Sequence, residues 1–196
     1  MDVNTARLRA TLGWLGMLLP WIVVLLTKGF PASISATYYT NASTVFMIIL
    51  GSAGILLMCY KGYCRLDDII FTAAGIFGLC ICLFPCWTST ADRVGTFMLD
   101  VDVSSILHNI SAMLFFSLLS VSSLFLFTKS NGYPTDNKKK RNIIYRVCGI
   151  GMLGSFLLFL LPDFYIKTWL IETLALFFFG VSWLTKANIY KFLFCD

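Results

Sequence analysis

The sequence predicts an all-α integral membrane protein, a single bundle of six transmembrane helices that takes up the whole chain from residue 1 to residue 196. Apolar residues make up 58% of the chain and charged residues 13%, whereas about a quarter of a soluble domain is charged. A bilayer core about 30 Å thick is crossed by about 20 helical residues. Six such spans leave only enough chain for tails and loops, so no separate soluble domain is expected.

Six apolar segments define the predicted spans. They cover residues 11–27, 43–60, 69–86, 106–128, 143–161 and 167–185. The first span contains Pro20, which membrane helices tolerate and which predicts a kink. Because Arg7 and Arg9 precede it, this segment also has features of a secretory signal peptide, but the five apolar segments that follow favour a first span.

Polar and turn-forming residues separate the later spans. The second span ends in Tyr60–Tyr63, where aromatic rings and a lysine suit the membrane interface. Phe84–Pro85 closes the third span, and Asn131–Pro134 is a turn signal after the fourth. Pro162–Asp163 predicts a tight turn between the last two.

The basic residues are divided unequally between the two sides of the predicted bundle. Twelve lie on the side of the N-terminus, namely Arg7, Arg9, Lys61, Arg65, Lys129, Lys138, Lys139, Lys140, Arg141, Arg146, Lys186 and Lys191, whereas Lys28, Arg93 and Lys167 lie on the other. Lys and Arg are retained in cytoplasmic loops. Both chain termini are therefore expected in the cytoplasm, and the protein is expected in the cell membrane as a multi-pass protein.

Glycines spaced three residues apart predict close helix packing. The pairs are Gly13 with Gly16, Gly51 with Gly54, Gly75 with Gly78, and Gly151 with Gly154. Small residues let helix backbones approach each other in lipid, so a larger side chain at Gly51 or Gly54 should weaken the bundle. The run Gly149–Gly154 also matches the spacing of a dinucleotide-binding loop, but that motif requires a preceding strand.

Three ionisable residues are candidates for catalysis: His108, Glu172 and Asp102. His108 is the only histidine, and Glu172 is the only acid well inside an apolar segment. An ionised side chain at mid-bilayer costs at least ~2.5 kcal/mol, so such residues usually face a partner in the bundle. We expect Glu172 to pair with His108, or with a serine or tyrosine of the first loop. The alternative to a catalytic role is a structural one. Glu172 would then reach water or make a purely structural hydrogen bond, and His108 would be a residue of the membrane interface.

Polar residues predicted at the same, non-cytoplasmic depth are candidates for ligand binding. They are Ser33, Ser35 and Tyr38 in the first loop, and Asn109 and Ser111 at the start of the fourth span. On the other side, the basic run Lys138, Lys139, Lys140 and Arg141 is a candidate contact for anionic lipid. The alternative is that this basic run only determines the orientation of the chain in the membrane, with ordinary attraction to anionic lipid. Since the cytoplasmic loops account for the net charge of +5, no nucleic acid partner is expected.

Neither a metal nor a cofactor is expected. A hydrolytic zinc takes three protein ligands, often two or three histidines, and this chain has one. The seven cysteines form no paired C-x-x-C motif. We interpret them as free thiols that fill small volumes.

The order of short motifs along the chain resembles that of a known group of membrane proteins. The motifs are Ser33–Ser35, Phe84–Pro85, Leu107–Phe116, Glu172 and Phe179–Trp183. The resemblance is to six-helix membrane proteins of the Frag/DRAM/Sfk type and to similar bacterial families of unknown function. Eukaryotic members are associated with GPI-anchor remodelling, phosphoinositide kinase regulation and autophagy, which implies membrane lipid as the common theme. The chain also resembles ceramidase-like hydrolases more weakly. Those enzymes bind zinc through three histidines, whereas this chain has one histidine.

Two functions are consistent with these observations. The first is a protein that binds or regulates membrane lipid through the polar cluster and that contacts a protein partner or a second copy through its helix faces. The second is a lipid-modifying membrane enzyme, a hydrolase or transferase, in which His108 acts as general base and Glu172 or Asp102 orients it. Transport is not favoured, because the polar groups cluster on one side of the midplane.

Overall fold

The computed structural model describes residues 3–130 and 132–188. Within these ranges the chain forms six α-helices, α1 (Val3–Thr27), α2 (Ser43–Cys59), α3 (Arg65–Leu83), α4 (Val101–Val121), α5 (Asp136–Ser155) and α6 (Lys167–Lys186). Ser35–Tyr39 and Phe156–Leu160 form short 3₁₀ helices, and Ser122–Leu126 is a π turn that extends α4. Strands β1 (Arg93–Val94) and β2 (Leu99–Asp100) pair in an antiparallel hairpin before α4. The predicted all-helical bundle is confirmed.

Five of these helical segments are long and apolar enough to cross a membrane. They are Asn4–Thr27, Arg65–Leu83, Val101–Leu126, Asp136–Leu160 and Lys167–Lys186, whereas α2 is apolar but has 17 residues. Large apolar side chains also cover the outside of the bundle, among them Leu25 (77% exposed), Ile48 (60%) and Leu160 (83%). Extended exposed apolar surface is typical of contact with a membrane.

Four helices, α1, α3, α4 and α5, begin earlier than their apolar segments, and a side chain caps the start of two of them. α4 begins five residues before residue 106, because the Asp100 carboxylate accepts a hydrogen bond from the backbone N–H of Asp102 (3.0 Å). α5 begins seven residues before residue 143, where the Thr135 hydroxyl accepts from the backbone N–H of Lys138 (3.3 Å). Such N-caps satisfy the free N–H groups of a first helical turn. The basic run 138–141 is therefore helical.

The helices form a ring in chain order. Each helix packs against the next one, and α1 closes the ring by packing along α6. α4 and α6, which are not neighbours in the ring, have little mutual contact. Pro20 lies within the single continuous helix α1.

Two helix crossings depend on glycine. A Cβ atom at Gly54 would lie 2.9 Å from the carbonyl oxygen of Gly75, and one at Gly13 would lie 3.0 Å from that of Gly180. These approaches bring α2 against α3 and α1 against α6, as the small-residue pattern predicted. The expectation was wrong for Gly51 and Gly154, because a Cβ at either position meets no atom within 4 Å.

The two ends of the bundle differ in chemistry. The amino-terminal end, where α1, α3 and α5 begin, contains a buried aromatic cluster of Tyr60, Phe71, Phe127 and Trp183. Beside it, the fully buried Asp67 accepts a hydrogen bond of 2.5 Å from Lys129, and this bond raises the pKa of Lys129. The opposite end, where α2, α4 and α6 begin, contains the polar residues predicted for catalysis and ligand binding. Lys191 lies outside the described residues.

Candidate functional site

A cavity of about 660 Å³ lies inside the ring of helices. It is in the half of the bundle where α2, α4 and α6 begin. All six helices contribute apolar side chains to its wall. One from each, in chain order, is Leu19, Phe46, Ile81, Phe115, Leu153 and Ile171. Its polar groups are Ser35, His108, Asn109, Ser117, Thr168 and Glu172. An apolar pocket with a few convergent polar groups is the usual form of a small-molecule site.

A second groove is less suited to be a site. It measures about 450 Å³ and lies beside Arg7, Thr11 and Trp14 of α1. Among the residues that the structure describes, no acid or histidine lines it. The larger cavity is therefore the candidate site.

Glu172 is fixed at the edge of this cavity by the loop between α1 and α2. The Ser35 hydroxyl donates to Glu172 Oε1 (2.8 Å), and the backbone N–H of Ile34 donates to Oε2. The N–H groups at the start of a helix have no partner within that helix, so the short 3₁₀ helix offers donors where the carboxylate lies. In the reverse direction, the backbone N–H of Trp169 in α6 donates a hydrogen bond to Ala32 O in the loop (3.1 Å). The loop and the start of α6 are thus joined in both directions.

His108 is buried two turns into α4 and is 3% exposed. Its Nδ1 lies 2.8 Å from the carbonyl oxygen of Phe84. A carbonyl only accepts, so Nδ1 carries the proton, and in the neutral imidazole Nε2 is an acceptor. The α3 helix ends at Leu83, two residues before Pro85, which has no N–H to continue the helical hydrogen bonding. His108 therefore satisfies a carbonyl left free at the end of α3.

Two further side chains satisfy the next two carbonyl groups. The Ser104 hydroxyl donates to Pro85 O (2.9 Å), and the Tyr39 hydroxyl donates to Cys86 O (2.6 Å). Burial raises the pKa of Tyr39 to about 12. His108 thus belongs to a set of three donors that fix the segment after α3, and the structural interpretation of this histidine has a direct geometric basis.

The structure places the predicted site residues in different settings. Ser35, His108, Asn109 and Glu172 line the cavity. Asp102 is exposed in the first turn of α4 and does not line it. Of the three catalytic candidates, His108 and Glu172 therefore share this cavity and Asp102 does not.

The other ligand-binding candidates also lie outside the cavity lining. Ser33 Oγ accepts from the backbone N–H of Ala36 (2.8 Å), and the Tyr38 ring packs edge-on against that of Tyr39 (5.1 Å). Ser111 is buried elsewhere in α4. Ser33 and Tyr38 contribute to the shape of the loop that holds Glu172.

Two polar lining residues were missed by the sequence analysis. Ser117 lies eight residues after Asn109, and Thr168 lies four residues before Glu172. Residues four apart share a helix face. Helical spacing from the predicted candidates would have identified both.

The basic run 138–141 is only partly available to lipid. Lys138 donates to Phe127 O (2.7 Å), and Arg141 donates to Asn188 Oδ1 (2.5 Å). Lys139 pairs with Asp136 at 2.8 Å, and Lys140 is exposed. Two of the four side chains are thus directed into the protein.

No grouping of three His, Cys, Asp or Glu side chains suited to a metal is found in residues 3–130 and 132–188. The cysteines in these ranges are free thiols. Cys195 lies outside the described residues.

Comparison of the chain with protein family models, with curated proteins and with solved structures gave no match in any of the three.

Proposed function

We propose that this membrane protein binds one amphipathic lipid molecule inside its helical ring. The observation that supports the proposal is the cavity of about 660 Å³, which has a long apolar wall and polar groups that include Glu172 and Asn109. Small-molecule sites typically measure about 300 to 1,000 Å³. The apolar wall suits an acyl chain, and the polar groups suit a headgroup.

The ligand is proposed to enter sideways from the bilayer. Four lining residues are exposed, namely the polar Asn109 and the three apolar residues Met113 (64%), Leu153 (43%) and Phe159 (51%). They lie on α4 and on the helical segment of α5, which places the opening between these two helices. An opening bordered by apolar side chains favours a lipid over a water-soluble ligand.

The membrane arrangement belongs to the same proposal. We place α2 across the membrane as a sixth span and the amino-terminal end of the bundle in the cytoplasm, because eleven of the fourteen Lys and Arg residues in the described part of the chain lie on that side. The protein is then a multi-pass protein of the cell membrane, and Glu172 lies toward the non-cytoplasmic surface. A relationship to the Frag/DRAM/Sfk group stays a prediction on which the lipid site does not depend.

Binding is favoured over catalysis by the settings of the three candidate residues. In the enzyme alternative, Glu172 or Asp102 would orient His108. Instead the Nδ1 of His108 is bonded to Phe84 O, and the Glu172 oxygens accept from Ser35 and Ile34. An acid and a base that act together are expected within hydrogen-bond reach of each other or of one water molecule.

The test is native mass spectrometry of the purified protein after removal of detergent. We expect the natural chain to retain one lipid mass. Ala112 lines the cavity, and Ala112→Phe fills part of it, so this variant should lose the lipid. Ile110 is 50% exposed, one position outside the lining, and Ile110→Phe is the matched control that should keep it.

A second variant guards against a folding defect. Thr168→Phe fills the cavity from α6 instead of α4. Thermal unfolding of each variant establishes that it is folded. If both folded cavity-filling variants retain the lipid at the occupancy of the natural chain, the proposed function is wrong.

A further inference from the structure

We propose that the headgroup bound at Glu172 carries a positively charged amine and not a phosphate. The inference rests on the proposed lipid site and specifies its ligand class. Its basis is an acidic side chain in a cavity wall whose described residues include no lysine and no arginine.

The charge of the wall is the first observation. The cavity lining includes Glu172 and His108 and neither a lysine nor an arginine among the described residues. Lys167 lies on the same helix as Glu172, but its amine is bonded to Phe159 O (3.0 Å), Leu161 O (2.5 Å) and Asp163 (3.0 Å). Its three N–H donors are therefore occupied outside the cavity.

The unused acceptors are the second observation. A carboxylate offers about four acceptor positions. The Ser35 hydroxyl and the backbone N–H of Ile34 donate to different oxygen atoms of Glu172, and the backbone N–H of Ser35 also interacts with this carboxylate. At least one acceptor position is left for a donor of the ligand, and His108 adds an acceptor at Nε2 in its neutral form.

The chemistry of these groups selects the ligand. A primary ammonium has three N–H donors and a positive charge, and it would supply the counter-charge that a carboxylate in an apolar setting lacks. A phosphate needs donors, and its negative charge would repel Glu172. The same wall therefore favours an amine and opposes a phosphate.

The experiment compares headgroups on one chain length. Hexadecylamine, hexadecanol and hexadecyl phosphate are added to the purified protein in detergent, and binding is followed by native mass spectrometry. We expect the amine to bind at least about tenfold more tightly than the phosphate. N-hexadecylacetamide, which keeps the nitrogen but has no charge, should bind about as weakly as the alcohol.

Variants at position 172 test whether the preference comes from this carboxylate. Glu172→Gln should reduce the affinity for the amine to within about twofold of that for the alcohol, and Glu172→Asp should retain the preference. Asp92 is an exposed acid in the loop before α4, and Asp92→Asn is the control for a general loss of negative charge.

The outcomes separate this inference from the proposed function. If the amine, alcohol, phosphate and acetamide bind equally well, or if the phosphate binds best, the headgroup inference is wrong and the lipid site stands. If no single-chain probe binds the natural chain, the proposed lipid site is also wrong. Because the acetamide comparison uses the natural chain, the result does not depend on Glu172→Gln folding.

Discussion

Ser35 and Glu172 are 137 positions apart in sequence, and the serine hydroxyl donates a hydrogen bond of 2.8 Å to the carboxylate. This bond joins the loop after α1 to the second turn of α6. It also sets the position of the carboxylate at the edge of the cavity. This contact therefore contributes both to the attachment of the loop to α6 and to the chemistry of the site.

Removal of this hydrogen bond should destabilise the protein. We expect Ser35→Ala to lower the free energy of unfolding by about 1.5 kcal/mol, since a half-buried carboxylate loses a donor. Unfolding with SDS in mixed micelles measures the change. Ser105, which is half-buried on α4, provides the control Ser105→Ala, with an expected change within about 0.5 kcal/mol.

A double-mutant cycle tests whether the effect comes from the pair. If Ser35 acts through Glu172, then Ser35→Ala should cost less in a chain that already carries Glu172→Gln, with a coupling of about 0.5 to 1.5 kcal/mol. Strictly additive costs would show that the serine acts through other contacts.

The glycine crossing of α2 and α3 provides a matched pair of substitutions. A Cβ at Gly54 would meet the backbone oxygen of Gly75 at 2.9 Å, and backbone cannot move aside as a side chain can. Gly54→Leu should therefore lower the free energy of unfolding by about 1 to 3 kcal/mol. Gly51 lies one turn away on the same helix in open space, so Gly51→Leu should change it by less than about 0.5 kcal/mol. Equal losses in the two variants would contradict the close approach.

The hydrogen bond from Tyr39 to Cys86 O should make stability depend on pH. Burial raises the pKa of Tyr39 from 10.0 to about 12. Because the folded-state pKa is above the unfolded one, the contribution of this tyrosine is fully present below pH 10 and is lost as the pH rises toward 12. At neutral pH we expect Tyr39→Phe to cost about 1 kcal/mol.

The measurement is the melting temperature of the natural chain and of Tyr39→Phe between pH 8 and pH 12. The difference between the two should shrink above pH 10. Tyr38→Phe removes the hydroxyl of the neighbouring ring and is the control for general alkaline damage. A difference that stays constant up to pH 12 would be inconsistent with a half-buried, hydrogen-bonded Tyr39.

Most of the fold could be predicted from the sequence, because a helix that crosses a membrane needs a certain length of apolar residues. The five long helices and α2 all overlap the predicted spans. The starts of α4 and α5 could not be predicted from hydropathy, since Asp100 and Thr135 cap them within polar sequence. Capping chemistry in the loops contains that information.

The candidate site was predicted less completely. That Glu172 would need a partner, with a serine of the first loop among the options, follows from the cost of an acid in an apolar segment. The bond from His108 to Phe84 O could not be predicted, because it depends on how α3 and α4 pack. The position of Asp102 relative to His108 could have been predicted. Six residues turn a helix by about 600°, so Asp102 lies about 120° around the helix axis from His108. Ser104, four residues before His108, shares its face.

The proposed membrane arrangement makes a prediction about the two ends of α2, the helix of 17 residues. A span of that length is at the lower limit for crossing a bilayer. If α2 crosses, Ala32 before it and Lys61 after it lie on opposite sides of the membrane. Both positions are exposed to solvent in the structure, so a cysteine placed at either one should react readily with a thiol reagent from its own side.

The labelling is done with a membrane-impermeant maleimide on chains in which every natural cysteine has been replaced by alanine. In intact cells Ala32→Cys should react and Lys61→Cys should not, because the basic end of the bundle is placed in the cytoplasm. After the cells are broken, both should react, which establishes that position 61 is accessible to the reagent. Labelling of both in intact cells would mean that α2 does not cross, and labelling of Lys61→Cys alone would mean that the bundle is inserted the other way round.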